Sequence, residues 1–329
     1  MRPMPKRKIV ITYPLPGGPL QYLKQPESTE IWMQSDRTVL PRPQLQRQVA
    51  GAAGLVVTPA DGPINEEIFD SAGPELRVIS CYSVGFDYVD ILSAAERGIA
   101  VGITPDATTE PTADVAWLLI LGVNRNLTRA TQLVHNKQWR GITPGDQYGH
   151  RLFGKKLFIV GAGRIGTAVA RRALGWNMDI LYTARSAKPA LEAAPYHGKR
   201  ASLDQGLCEA DVVSLHVPLN EATHHLIGHQ QLRQMKKNSI IVNTSRGGVI
   251  DERALAKALV EGDIRGAGLD VYENEPEITS ALYSADNCLM LPHIGTATIE
   301  DREWMTKMAM ANLSAGIMSQ SLPYPVVDC

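Results

Sequence analysis

Leu157-Phe158-Ile159-Val160-Gly161-Ala162-Gly163-Arg164-Ile165-Gly166 is the stretch that decides the fold. Four consecutive apolar residues read as a strand buried on both faces, and residues 167–174 carry a helical pattern. The glycines between them fall as G-x-G-x-x-G, a weak pattern alone but a meaningful one between a strand and a helix. Gly161 allows the tight turn, Gly163 lets a pyrophosphate approach the backbone, and Gly166 lets helix and strand pack closely. The helix start offers N–H groups and a positive dipole end to phosphates. Gly161, Gly163, Arg164, Ile165 and Gly166 are therefore expected to cradle a dinucleotide.

Residues 177–183 read as the next strand. An NAD site places Asp or Glu near its end to hold the ribose hydroxyls. The sequence there is Tyr182-Thr183-Ala184-Arg185-Ser186-Ala187-Lys188, with no carboxylate. Arg185 and Lys188 supply positive charge and Ser186 a hydroxyl, which suits a 2′-phosphate. NADP(H) is favoured over NAD(H).

The 329 residues suffice for two domains with real cores. Thirty-three Lys and Arg against 34 Asp and Glu give a net charge of −1, no footprint for nucleic acid or an anionic membrane. The apolar run 115–123 is too short for a bilayer, which needs about 20 residues. The basic start, residues 1–8, leads into a strand-like run and not a signal segment. Cys81, Cys208, Cys288 and Cys329 are scattered without C-x-x-C, which predicts reduced thiols and a cytoplasmic protein. Cys81 and Cys288 lie in apolar surroundings and are expected in the core.

Strand-like runs recur at 8–13, 55–58, 77–81 and 99–103, with another within 31–39 and a helix over 90–97. Near-continuous apolar strands alternating with helices predict parallel sheets covered on both faces. Residues 112–124 form a long helix, with Thr112 or a nearby Thr as cap and Asp114 in its first turn. After a loop-rich stretch, 139–152, strands are expected at 157–160, 177–183, 211–216, 239–243, 266–270 and 288–291. Helices are expected at 251–261 and 299–319, then an extended tail, 322–327. The glycine loop begins near residue 161, so a complete α/β unit precedes the cofactor domain. The helix from Thr112 leads into that domain, and the one after Glu300 leads out.

Four further segments sit at expected C-terminal strand ends, where open α/β sheets hold ligands. They are Tyr82-Ser83-Val84-Gly85-Phe86-Asp87, Asn243-Thr244-Ser245-Arg246-Gly247-Gly248, Leu269-Asp270-Val271-Tyr272-Glu273-Asn274-Glu275-Pro276 and Leu291-Pro292-His293-Ile294-Gly295-Thr296. With Thr112-Ala113-Asp114 and Leu215-His216-Val217-Pro218-Leu219, they resemble the D-isomer-specific 2-hydroxyacid dehydrogenases, glyoxylate/hydroxypyruvate reductases in particular. The resemblance runs from about residue 8 to 327. It implies an α/β protein of two doubly wound parallel-sheet domains, with a Rossmann dinucleotide-binding domain (107–299) inserted into a flavodoxin-like substrate domain (1–106 and 300–329).

By the same resemblance His293 is the general acid/base, Glu275 the carboxylate bonded to it, and Arg246 the substrate-binding arginine. The chemistry suits these roles. Hydride arriving at a keto carbon leaves charge on oxygen, and a histidine supplies the proton near neutrality. A neighbouring carboxylate favours the protonated ring. An arginine fork matches a carboxylate and its adjacent keto oxygen. The Val84 and Gly85 N–H groups are expected to hold the substrate carboxylate, with Arg246 and His293 completing that site. Thr112, His216, Val217, Pro218, Thr244, Ser245, Asp270, His293 and Gly295 are expected around the dinucleotide.

Single positions narrow the reading. Formate dehydrogenases carry Gln where Glu275 stands, and phosphite dehydrogenases Lys where Val84 stands. The vertebrate-like reductases place a second Trp where this chain has Ile142, three residues beyond Trp139, which puts hydroxypyruvate preference in doubt. 2-Ketogluconate or another 2-keto acid remains open as the substrate. A dinucleotide-sensing binding protein like the corepressors of this superfamily is the rival, disfavoured by the neutral charge and the short tails. His224, His225 and His229 lack a convincing tetrahedral ligand set, so no metal is expected. A homodimer through the cofactor domain, with a 124–151 arm, is expected.

Overall fold

The computed structural model describes residues 6–24, 26–142, 144–145 and 148–326. The first and last segments of the chain build one compact unit, 1–108 with 297–329, and residues 109–296 build the other.

The first unit alternates strand and helix: β1 (Arg7–Ile11), β2 (Thr29–Met33), α1 (Arg42–Val49), β3 (Ala52–Val57), α2 (Glu66–Ala72), β4 (Val78–Cys81), α3 (Ile91–Glu96) and β5 (Ala100–Gly102). All strands run parallel in the order β2-β1-β3-β4-β5, the flavodoxin-like winding. Every residue of β3 and β4 is buried, as the unbroken apolar runs require.

The second unit contains α4 (Thr109–Asn124), α5 (Leu127–His135), β6 (Lys156–Val160), α6 (Arg164–Ala173), β7 (Asp179–Thr183), α7 (Pro189–Glu192), β8 (Lys199–Arg200), α8 (Leu203–Glu209), β9 (Val212–Leu215), α9 (His229–Gln234), β10 (Ile240–Asn243), α10 (Glu252–Glu261), β11 (Gly266–Leu269) and β12 (Cys288–Met290). The chain then returns to the first unit as α11 (Ile299–Ile317). The seven strands lie in the order β12-β11-β10-β9-β6-β7-β8. Counted from β6, this is the Rossmann winding with one added strand. The order reverses at β6, which pairs with β7 on one side and β9 on the other.

Side-chain alternation feeds two cores in this unit. Leu157 and Ile159 pack with Trp117, Ile120 and Val169 from α4 and α6. Phe158 packs on the other face with Leu207, Leu255 and Leu259 from α8 and α10. In the first unit Ile9, Ile11, Val56 and Val78 meet Met305, Met308 and Leu313 of α11. Val10, Leu55 and Ile79 meet Leu45, Ile68 and Phe69 of α1 and α2. Cys81 and Cys288 are buried and Cys208 is exposed; Cys329 lies outside the described residues, as does Val327 of the expected tail. No described helix is long and apolar enough to cross a membrane.

One expectation needs correction. The helix through Thr112 starts at Thr109, so Thr112 is not its cap and Asp114 lies beyond the first turn. Pro111 is tolerated this early because its missing N–H has no intrahelical partner there. Thr112 Oγ1 instead donates to the Gly295 carbonyl at 3.3 Å, and Asp114 pairs with Arg172 at 2.7 Å.

Candidate active site

The C-terminal ends of β6, β9, β10, β11 and β12 share one edge of the larger sheet. The glycine loop follows β6. Gly161 has φ 98°, where a side chain is strained, and a Cβ there would sit 2.7 Å from the His216 carbonyl carbon and oxygen. A Cβ on Gly166 would sit 2.3 Å from the Gly161 carbonyl oxygen. Gly163 opens onto free space and N-caps α6 with no side-chain cap hydrogen bond, at a helix start whose dipole favours a phosphate.

After β9, His216 shares a 2.8 Å hydrogen bond with Ser214 through Nε2, while its buried Nδ1 has no partner among the described residues. Burial pushes the ring's pKa down to about 3, so it is neutral near pH 7. Thr244 Oγ1, after β10, is likewise buried without a partner. Unmatched polar atoms beside a cradle that side chains would fill fit a polar ligand such as a dinucleotide.

The chemistry-bearing pair lies beyond β11 and β12. His293 Nδ1 is 2.7 Å from Glu275 Oε2. Glu275 Oε1 accepts the Tyr272 N–H at 2.9 Å. Partial burial works to raise the Glu275 carboxyl. The bond and charge of His293, the Tyr272 N–H and the charge of Arg246 outweigh it and hold the carboxyl below its usual range. His293 and Glu275 are 42% and 35% exposed, so solvent screens the pair and its worth to stability is about 1 kcal/mol at most. Its effect is orientation: Glu275 fixes the ring through Nδ1 and leaves Nε2 outside that bond.

His293 has φ 54°, a left-handed conformation that needs support from its surroundings. Asp270 supplies it. This buried carboxylate accepts the N–H groups of Ile294 and Gly295, each at 2.8 Å. Burial raises the Asp270 carboxyl above its ordinary value, opposed by those N–H groups and by His293. Thr112 binds the Gly295 carbonyl, so α4 and β11 together hold the turn.

Arg246 follows β10, half-buried, at a turn organised by Asn243. Asn243 Oδ1 accepts from Ser245 N at 3.0 Å and Ser245 Oγ at 2.8 Å, and its Nδ2 donates to the Arg246 carbonyl at 2.9 Å. In the smaller unit Val84 and Gly85 follow β4, with Ser83 Oγ donating to the Gly85 carbonyl at 2.6 Å.

The D-isomer specific 2-hydroxyacid dehydrogenase, NAD binding domain model matches residues 117–295. A glyoxylate reductase of Thermococcus kodakarensis is 43% identical over 319 residues, 96% of this chain and 93% of that protein. The chain belongs to the D-isomer specific 2-hydroxyacid dehydrogenases. The TT0316 protein of Thermus thermophilus superposes on this dehydrogenase with a TM-score of 0.90 at 41% identity, covering 97% of this chain and 100% of that one. An NADPH-dependent glyoxylate/hydroxypyruvate reductase of Sinorhizobium meliloti, in complex with NADP and malonate, gives a TM-score of 0.82 at 30% identity, covering 98% and 97%. The dehydrogenase fold and these relatives support keto-acid reduction, and its larger unit carries the family's NAD(P)-binding domain.

At the end of β7 the dehydrogenase presents Arg185 and Ser186 exposed and Lys188 half-buried. Arg200 adds a third guanidinium or ammonium group there. It donates to the carbonyls of Ala184 at 2.9 Å and Arg185 at 3.2 Å, bracing the turn. β8 is two residues long, too short to register as a strand in sequence. The triplet of histidines does not gather: His224 and His225 stack on each other, while His229 opens α9. No group of three or more His, Cys, Asp or Glu is placed to hold a metal among the described residues.

Two residues of the site escape sequence reading. Gly247 lies against the Tyr272–Glu273 peptide, where a Cβ would fall 1.8 Å from the Tyr272 carbonyl carbon. Glu252, at the start of α10, is buried and bonded to the turn that carries Glu275. The glycine directly after Arg246 was the available signal for the first; nothing local signals the second.

Proposed function

We propose that this dehydrogenase reduces glyoxylate, hydroxypyruvate or a close small 2-keto acid to the D-2-hydroxy acid, with NADPH as the preferred donor. The observation that carries the reading is the 2.7 Å His293–Glu275 pair on a turn braced by Asp270, in the same unit as Arg246 and the glycine loop. Gly161, Gly163 and Gly166 with the N–H groups of Arg164 and Ile165 would hold the pyrophosphate. Thr112, His216, Val217, Pro218, Thr244, Ser245, Asp270 and Gly295 would line the rest. When bound, the reduced nicotinamide supplies the hydride. Arg246 holds the substrate carboxylate. His293 places a proton on the keto oxygen as negative charge builds there, and Glu275 steadies the charged ring. A panel of 2-keto acids assayed with NADPH and with NADH tests the reading. The expected result is turnover with glyoxylate, faster per enzyme at low NADPH than at low NADH.

The 2′-phosphate is assigned to Arg185, Ser186 and Lys188, supported by the missing carboxylate and by the NADP-bound Sinorhizobium relative. Hydrogen bonds to charged groups are worth about 1.5–3 kcal/mol each. Arg185→Glu should raise the KM for NADPH roughly tenfold to a hundredfold and leave that for NADH nearly unchanged. Equal losses for both would remove the assignment.

A homodimer is proposed through α5 and the residues after it. α5 has no buried residue, and Val134, Trp139, Ile142 and Tyr148 are exposed apolar side chains. We read this run of exposed apolar side chains as the candidate contact face. Light scattering after size exclusion should give twice the chain mass, falling to one chain mass in Val134→Asp.

A further inference from the structure

Glu252 is the first residue of α10, a position that normally points a carboxylate at solvent, yet it is 3% exposed. A buried carboxylate needs donors for its oxygens. Glu252 takes the N–H of Glu273 on Oε1 at 2.7 Å and the N–H of Thr279 on Oε2 at 3.3 Å. The exchange is mutual, because Glu273 Oε1 accepts the N–H of Glu252 at 2.9 Å. That same oxygen lies 3.1 Å from His225 Nε2. Glu252 therefore grips the 273–279 turn at both ends. Within the turn, Glu277 N–H closes onto the Asn274 carbonyl at 2.9 Å. Glu275 sits between the two grips and reaches His293.

We infer that Glu252 is a positioning residue for the proton donor, holding the turn so that Glu275 meets the His293 ring. The inference rests on the reading of His293 as that donor. Two acceptors are required at Glu252, since each oxygen receives a backbone N–H. An amide offers one acceptor and turns an N–H₂ group toward the other donor, so Glu252→Gln breaks one grip without changing volume. The charged and titratable groups around the two carboxylates are Glu273, His225, Tyr272 and Cys288 on one side and His293, Arg246 and Asp270 on the other. Burial pushes the Cys288 thiol up to about 12, with the Glu252 charge adding to it, so Cys288 does not titrate in the working range.

The test is a pH–rate profile of 2-keto acid reduction for wild type, Glu252→Gln, Glu275→Gln and the double variant, with dinucleotide affinity measured on each. Displacing Glu275 removes the carboxylate that orients the His293 ring through Nδ1. Glu252→Gln should lower kcat about tenfold, since small misplacements at a reacting centre are costly. Its pH–rate profile should change in the same way as that of Glu275→Gln. Dinucleotide affinity should stay at the wild-type value. In the Glu275→Gln background the Glu252 change should add little, because the two act through one contact. A folded Glu252→Gln with a wild-type profile overturns the inference even if it melts lower. So does a full independent loss in the double variant. If Glu275→Gln itself leaves kcat and profile unchanged, the proton-donor reading fails first and the inference with it. Should Glu252→Gln not fold, Thr279→Pro removes the second grip alone and is read by the same profile.

Discussion

His293→Gln is expected to lower kcat for 2-keto acid reduction by about two to four orders of magnitude, the usual worth of positioned acid–base catalysis. The dinucleotide should still bind, because the glycine loop and the β7 turn do not depend on this side chain. The keto carbon cannot take up hydride without charge building on its oxygen, and the proposed donor is what neutralises that charge. His293 stands at φ 54°, where Asn is better tolerated than most residues. His293→Asn is therefore the backbone control and should fail equally. Near-wild-type turnover in either variant would take His293 out of the mechanism. The acid limb of the wild-type profile should not report Glu275 at ordinary carboxylate values. Its carboxyl is held low by His293, the Tyr272 N–H and Arg246 against the effect of burial, so it ionises below the usual range. Loss of its support is thus expected only as pH falls through that depressed value.

Gly247→Ala should be nearly as damaging, for a steric reason. A Cβ at this position would lie 1.8 Å from the Tyr272 carbonyl carbon, 2.1 Å from its oxygen and 2.3 Å from Glu273 N. All three are backbone atoms, so no rotamer change relieves the overlap. Either the 246–248 segment or the 272–273 peptide must shift. The first carries Arg246 and the second leads to Glu275, so either shift spoils the site. A displacement near 1 Å at a reacting centre costs on the order of a hundredfold. We expect kcat/KM for the keto acid to fall by about that factor. Overpacking should also cost about 1–3 kcal/mol of stability. Dinucleotide affinity should be retained. A folded Gly247→Ala with wild-type kcat/KM would show that the two segments are not held in register.

The strand, glycine loop and helix over 156–173 are legible in sequence because each signal is local. Apolar runs, glycine spacing and helical periodicity all lie within about 18 residues. The strands at 240–243, 266–269 and 288–290 are legible for the same reason. The helix α5 is not, since it spans only nine residues and buries none of them. β8 spans only Lys199 and Arg200, so Arg200 does not stand out as a brace for the Arg185 turn. The start of α4 is misread because Pro111 suggests a boundary that its place in the first turn does not impose.

The proposed catalytic trio is readable only as a resemblance, whereas the contacts that position it are not readable at all. Parallel pairing of β10 with β11 sets Ile240 beside Gly266, and so brings the 246–252 stretch against the 272–279 turn. Gly247, Glu252 and Asn243 acquire their meaning from that juxtaposition. Asp270 changes in the same way. Sequence resemblance places it near the dinucleotide, while the structure gives it two N–H bonds that hold the His293 turn.

The His293–Glu275 pair is proposed to serve hydride transfer to a small 2-keto acid. The most direct measurement is NADPH consumption by the purified protein on adding glyoxylate, followed by nicotinamide absorbance and by the glycolate formed. Glyoxylate-dependent consumption with an equal amount of glycolate, abolished in His293→Gln, is the expected result. A protein that binds NADPH yet consumes none with glyoxylate, hydroxypyruvate or any other 2-keto acid would contradict it.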